Sequence, residues 1–556
     1  MRSFKLALSV AVLSSSVLLF QGCSKKEETP AASGPSILDS EIVSYLPATS
    51  VGFFTWNTES EGYKKLKSSV WSQNASKSLE LLKNLEDNPD AKRIIPIIDS
   101  LVQTGLVPKS PSQPDVINSG VGFIDIDKAA KLPTVAIYMS AASGQDLSSK
   151  IPTLESAISA QGFATQKETI GGVQGFSVQV GDKGNPFEKF YVAYSKDKLA
   201  LASSIPLAET LFNGKPSAGI QQIKQSEEFK KAAGGVTNPA ESMSFAYFDM
   251  NKFISTVASL GLSPEQDPST ELKEIPVQSL ALTSSMKDNL SYSVAVSLNP
   301  KNENQKRVIS ALSGAGGSDI LNKVPSDLML LLSLDGKTIS SIKNAMLTEI
   351  PAEALGPMGE QLKLLDSLKS LSLGLRGPAG ATPFPELVLV AESSESDALH
   401  KLVKSQLDMA LASSGMPMPW QQKEIGGAQV TYALSPFGVG AYVTSNKGMV
   451  IVASGEKLIS DLVTPSNGTL LAGMSNSTKE MLSSSKPFIV AYSDFNKIAN
   501  ALSSTQDQLA MFTGGKGGIS PEQLAQMRQV GTVVLSLNVD DNLVKLRSTY
   551  EIPPKG

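Results

Sequence analysis

One imidazole and one thiol are all that 556 residues offer to the chemistry of nucleophiles and soft metals: His400 and Cys23. His400 stands in Ser396-Asp397-Ala398-Leu399-His400-Lys401-Leu402-Val403, a helical pattern whose inner face is Leu399, Leu402 and Val403, so the ring is expected at the border of that face. The first half of the chain has no histidine, and any imidazole mechanism belongs to the second half alone. A phosphate-binding loop needs a glycine five positions before Gly-Lys; Gly214, Gly336 and Gly515 have Glu209, Leu331 and Ala510 there. Gly514-Gly515-Lys516-Gly517-Gly518 then reads as a loop before a helix capped by Ser520 with Pro521 in its first turn. Asp125-Ile126-Asp127 starts like a calcium loop without its later glycine and glutamate, and reads as a strand end. Met416-Pro417-Met418-Pro419-Trp420 offers two thioethers without a nearby His or Cys, a poor soft-metal site. No residue is assigned a catalytic, cofactor-binding or metal-ligating role. Paired carboxylates remain as the one chemistry that needs spatial proximity rather than a motif.

The elements that position side chains depend on how the chain divides. At this length a single core stops growing, so two domains are expected, and a composition of 41% hydrophobic and 18% charged residues supplies enough apolar material for both. A single cysteine excludes an intramolecular disulfide and a cysteine-held zinc or iron–sulfur centre. The formal charge is −4, and it falls to −6 without Arg2 and Lys5 of the first 22 residues. An acidic chain without a basic stripe has no electrostatic footprint for nucleic acid.

Arg2 and Lys5 precede a fifteen-residue apolar run, Leu6 to Phe20, the anatomy of a signal peptide over residues 1–22. Phe20-Gln21-Gly22-Cys23 resembles the bacterial lipobox, although Phe20 and Gln21 stand where leucine and a small residue are usual. The resemblance implies diacylglycerol on Cys23, cleavage before it, and further acylation such as palmitate, an anchor of two or more chains that holds firmly in a bilayer. Residues 23–38, rich in Ser, Pro and charge, read as a flexible tether. Ser24 after the lipidated cysteine resembles outer-membrane sorting, which places the protein in the cell envelope, on the periplasmic face of the outer membrane or at the surface.

The remainder repeats itself. Leu46-Pro47-Ala48-Thr49 before the strand 51–57 answers Val324-Pro325-Ser326-Asp327 before the strand 329–335, both strands reading as apolar on both faces. Lys167-Glu168-Thr169-Ile170-Gly171-Gly172 answers Lys423-Glu424-Ile425-Gly426-Gly427, and Ser195 to Ser204 answers Ser445 to Ser454. Ala246-Tyr247-Phe248-Asp249-Met250-Asn251-Lys252-Phe253 shares five of eight residues with Ala491 to Ile498, and Asp288-Asn289-Leu290 answers Asp541-Asn542-Leu543. The order is the same throughout, which points to duplication, with Tyr247 equivalent to Tyr492 and Asp249 to Asp494. The glycine pairs predict hairpin turns, and the aspartates predict helix caps. The expected class is α+β: two tandem homologous domains, 39–300 and 323–556, each a mainly antiparallel sheet packed against helices, with 301–322 as a junction.

The Leu-Pro lead into the first strand, the Gly-Gly hairpin and the Tyr-x-Asp strand together resemble a bacterial envelope lipoprotein family known as a domain of unknown function, here in two copies. That resemblance spans nearly the whole mature chain and implies no catalytic residues. The reading that follows is a non-catalytic binding or scaffold protein of the envelope, in contact with the membrane through its lipid and with an envelope protein partner. A second reading is a carrier or sensor of an apolar ligand, for which Leu79, Leu81, Leu82, Leu85, Ile94, Ile95, Ile97, Ile98, Leu101 and Val102 supply a lining. A third is a carboxylate-dependent hydrolase.

Overall fold

Short runs of alternating residues, closed by turns of Gly, Asn, Asp and Lys, become antiparallel hairpins because each turn supplies the backbone conformation that the strand twist demands. The computed structural model describes residues 36–68, 100–101, 103–106, 114–127, 132–181, 188–213, 219–236, 242–259, 274–313, 319–347, 356, 359, 361–378, 384–413, 418–435, 440–464, 468–513 and 519–551. The chain divides into two compact units, residues 1–299 and 300–556.

The first unit carries β1 (Gly52–Asn57), β2 (Ile117–Asp127), β3 (Leu132–Ala141), β4 (Thr165–Ile170), β5 (Val173–Gln179), β6 (Lys189–Tyr194), β7 (Lys198–Ala202), β8 (Ser244–Asp249), β9 (Val277–Met286) and β10 (Leu290–Leu298). Within this unit they pair antiparallel in the order β4-β5-β6-β7-β3-β2-β1-β8-β9-β10. Helices α1 (Glu61–Ser68), α2 (Ile151–Ala160), α3 (Ile205–Asn213), α4 (Glu227–Gly235) and α5 (Met250–Ser259) pack on it.

The second unit carries β11 (Leu328–Asp335), β12 (Leu368–Arg376), β13 (Glu386–Ser393), β14 (Gln421–Ile425), β15 (Ala428–Leu434), β16 (Gly440–Asn446), β17 (Met449–Ala453), β18 (Ile489–Asp494), β19 (Thr532–Asp540) and β20 (Leu543–Glu551). Their order is β14-β15-β16-β17-β13-β12-β11-β18-β19-β20. Strand for strand this is the order of the first unit. Its helices are α6 (Glu303–Leu312), α7 (Gly336–Leu347), α8 (Ser396–Ser413), α9 (Glu456–Val463), α10 (Asn476–Ser485), α11 (Phe495–Thr513) and α12 (Pro521–Val530). The class is α+β with two antiparallel domains of one topology. Helix α6 lies at the start of the segment 301–322 read from the sequence as a junction, and Asn302 caps it by accepting the Gln305 N–H at 2.9 Å.

The repeated sequence blocks occupy equivalent places. Gly171-Gly172 and Gly426-Gly427 join β4 to β5 and β14 to β15 with positive φ at both residues. Asp249 Oδ1 accepts the Lys252 N–H at 2.8 Å and Asp494 Oδ1 accepts the Lys497 N–H at 3.0 Å, so both aspartates cap the helix that follows their strand. The lysines then reach back: Lys252 Nζ donates to the Ala48 and Ser50 carbonyls, Lys497 Nζ to those of Ser326 and Leu328. One block thereby pins the turn leading into β1 or β11, which explains why both copies retain Asp and Lys together. Burial first, and then the neighbouring aspartate, pushes the Tyr247 and Tyr492 phenols above their ordinary range, and each donates to that aspartate.

Hydrogen bonding corrects one sequence match by a residue. Ser203 and Ser454 are equivalent: their N–H groups donate to the Val135 and Leu387 carbonyls, and their hydroxyls accept the Val135 and Leu387 N–H groups. The sequence blocks Ser195 to Ser204 and Ser445 to Ser454, aligned end to end, set Ser204 opposite Ser454 instead. Ladder geometry, not residue identity, fixes register where apolar residues run on without contrast.

Candidate functional site

The leucines of the second sheet follow an inverted rule. In β12, Lys369, Leu371, Leu373 and Leu375 alternate with Ser370, Ser372, Gly374 and Arg376, and it is the second set that is buried. Ser372 donates to Ser333 at 2.9 Å and Ser370 to Glu392 at 3.1 Å, so the hydroxyls on the inner face are paired within the sheet. That inner face packs Leu331, Val388 and Val390 against Ile320, Leu458, Leu470 and Leu482.

The opposite face is a leucine floor. Leu332 pairs with Leu373, Leu373 with Leu389, and Leu375 with Leu387, across β11, β12 and β13. At one margin Leu371 and Leu389 lie under a small cluster built by Ile339 of α7 with Leu399 and Val403 of α8. Beyond it, Leu332, Leu373 and Leu387 are 44%, 50% and 50% exposed. The sequence reading of 329–335 as buried on both faces is therefore wrong at Leu332. The period-two alternation of 368–376 was the signal that two unlike faces exist.

The equivalent face of the first unit is closed. Phe54 and Trp56 occupy the places of Leu332 and Leu334, and Gly122 and Gly120 those of Leu373 and Leu371. The two rings stack at 5.5 Å and lie over the glycines, where an added Cβ would come within 2.1 Å of either ring. Trp56 joins Leu147, Ile151, Leu154 and Ile158 in a continuous core. Aromatic rings over glycine seal one sheet; leucine against leucine leaves the other open.

The residues with chemical potential do not converge there. His400 lies on α8, half-buried, with Nε2 enclosed and without a hydrogen-bond partner. Burial, aided by Lys404 and opposed by Asp397, holds its pKa below the ordinary imidazole value. Asp125, at the end of β2, accepts the Thr49 hydroxyl at 2.5 Å. The Trp420 indole donates to Asp408, and Lys404 sits 4.9 Å over its ring. Cys23, Met416, Pro417, Gly514 to Gly518 and, of the proposed apolar lining, Leu79 to Ile98 and Val102 lie outside the described residues. Leu101 is partly buried against the first-unit core.

Among the described residues three carboxylates gather around Arg376. Arg376 holds Asp461 at 2.6 Å, Asp327 at 3.3 Å and Glu386 at 2.6 Å through Nε. Burial alone would lower the guanidinium pKa, yet Glu386, Asp461 and Asp327 keep it above its ordinary value. Each acid is tied to the cation, and the cluster fastens β12, β13, α9 and the turn before β11. By register Asp125 is the first-unit counterpart of Arg376, so the charge at this corner is reversed between copies. Among the described residues no group of three or more His, Cys, Asp or Glu side chains is arranged to hold a metal ion, and no helix is long and apolar enough to cross a membrane.

No protein-family model matches the chain, and no curated protein does. Among solved structures, crystal form III of TP0453 is 13% identical, with a TM-score of 0.25 over 51% of this chain and 89% of that one. Crystal form IV of TP0453 is 11% identical, with a TM-score of 0.23 over 48% of this chain and 81% of that one.

Proposed function

We propose that the protein is a non-catalytic lipoprotein of the bacterial cell envelope, anchored through Cys23, that works by binding at the leucine floor of its second unit. The observation that carries the reading is the floor itself: three half-exposed leucines side by side on a sheet whose twin is sealed. The signal-like leader, the lipobox-like Gly22-Cys23 and Ser24 support an anchored position on the periplasmic face of the outer membrane or at the surface. No cofactor and no nucleic acid enter this reading, and the carboxylates that come together do so around a guanidinium rather than around a cleft.

The test is photocrosslinking in living cells with p-benzoylphenylalanine in place of Leu373, and with the same group at Lys447 in the β16–β17 turn as a control. An adduct at 373 that is absent at 447 is the expected result. A protein that is anchored and abundant yet yields no adduct at 373 excludes the floor as a binding face.

A further inference from the structure

The geometry points to a single hydrocarbon chain, the acyl tail of a fatty acid or lipid taken out of the bilayer, as the occupant of the leucine floor. This inference rests on the floor being the binding face.

Three features select that occupant. The first is size. Leu332, Leu373 and Leu387 together expose about one and a half leucines' worth of surface, whereas a stable protein–protein interface takes roughly 20–30 residues a side. The second is shape. The three residues stand on adjacent strands, with Leu387 opposite Leu375, two residues along from Leu373. With strands about 4.8 Å apart and a rise of about 3.4 Å per residue, they form a diagonal strip roughly 12 Å long and one side chain wide.

The strip is recessed. Helices α7 and α8 rise over Leu371 and Leu389 at one margin. Helix α11 packs on β11 and β19, with Ala501 beside Gly377 at the end of β12. A helix with its side chains is about 10 Å across, so helices at the margins stand above the floor, and an extended chain fits between them better than a flat bilayer surface does. The third feature is chemistry. The exposed side chains are aliphatic, offering dispersion and water exclusion without a hydrogen-bond donor or acceptor. The first unit shows what covers the equivalent face: apolar groups, there the rings of Phe54 and Trp56 reaching across from β1 onto Gly122 and Gly120 of β2.

The experiment uses the full mature chain carrying Cys23→Ser, titrated with cis-parinaric acid. Saturable emission that palmitate displaces is expected, weakened at least tenfold in the double variant Leu332→Phe, Leu373→Gly, which transplants the first unit's ring-over-glycine cover. Absence of saturable binding, or equal binding by a folded double variant, overturns the proposal. Should the double variant not fold, stearic acid bearing a nitroxide on its chain is added to the unaltered protein with ¹³C-labelled leucine methyls. Selective broadening of Leu332, Leu373 and Leu387 supports the proposal, and broadening confined to other methyls overturns it. A Leu373 photo-adduct that is a protein and contains no lipid overturns the acyl ligand while leaving the binding face standing; absence of any adduct removes both.

Discussion

The His400 ring meets the protein with one nitrogen enclosed and unpaired, an arrangement that favours the neutral imidazole. Because its folded pKa lies below the unfolded value, its contribution to stability is complete above the ordinary imidazole pKa of 6.5 and is lost as pH falls through the folded value. Replacing His400 with leucine removes that titration and the unpaired nitrogen together. His400→Leu is expected to match the parent within about 0.5 kcal/mol in urea unfolding at pH 7.5. Below pH 6.5 it should lose less stability than the parent does, and equal losses in the two proteins would contradict this account. Binding at the floor and anchoring should be unchanged, since the mechanism asks nothing of the imidazole. The residue's position was legible, because Leu399 and Val403 at helical spacing placed it at the border of a buried face. Its enclosed nitrogen was not, since burial on that helix depends on how it packs against β13, β16 and β17.

At the scale of elements, the twin glycine hairpins differ along the turn in the same way in both units. Gly171 and Gly426, the first glycine of each turn, lie against the helix end beneath: a Cβ would come within 2.6 Å of Asn213 and 2.7 Å of Thr464. Gly172 and Gly427 face open space. Both positions of each turn have positive φ, where a Cβ is strained, but only the first is also crowded. Gly426→Ala is therefore expected to cost roughly 1–3 kcal/mol. Gly427→Asn should stay within about 0.5 kcal/mol, because asparagine tolerates the left-handed region. Urea midpoints at constant m-value measure both, and equal losses at the two positions would show that the helix contact contributes nothing. The hairpins themselves could be read directly from Gly-Gly between short extended runs. The caps at Asp249 and Asp494 were equally readable, but the lysine that ties each cap to a turn about 170 to 200 residues away was not.

For the whole molecule the expectation concerns address rather than fold. Cys23→Ser should give a precursor that keeps its leader and takes up no labelled palmitate, while the wild-type chain is shortened and labelled. Labelling of the Cys23→Ser protein would overturn lipidation at this residue. Both units should be indifferent to the change, since the strands and cores of the described residues do not include residue 23.

The sequence by itself determined what rests on local chemistry and on repetition: α+β elements, two copies in one order, hairpins at Gly-Gly, and Asp caps before the helices. Each of these is decided by residues a few positions apart, or by the same block occurring twice. Tertiary structure alone decided which face of each sheet is covered. Leu-Ser-Leu alternation states that two faces differ and does not say which is inside; here close packing of the inner face took the small hydroxyls, which could pair with one another, and left leucines outside. It also decided that Phe54 and Trp56 close one floor while Leu332 and Leu373 leave the other open. That outcome depends on β1 meeting β2 across 59 intervening residues and β11 meeting β12 across 32, in a register no local pattern encodes.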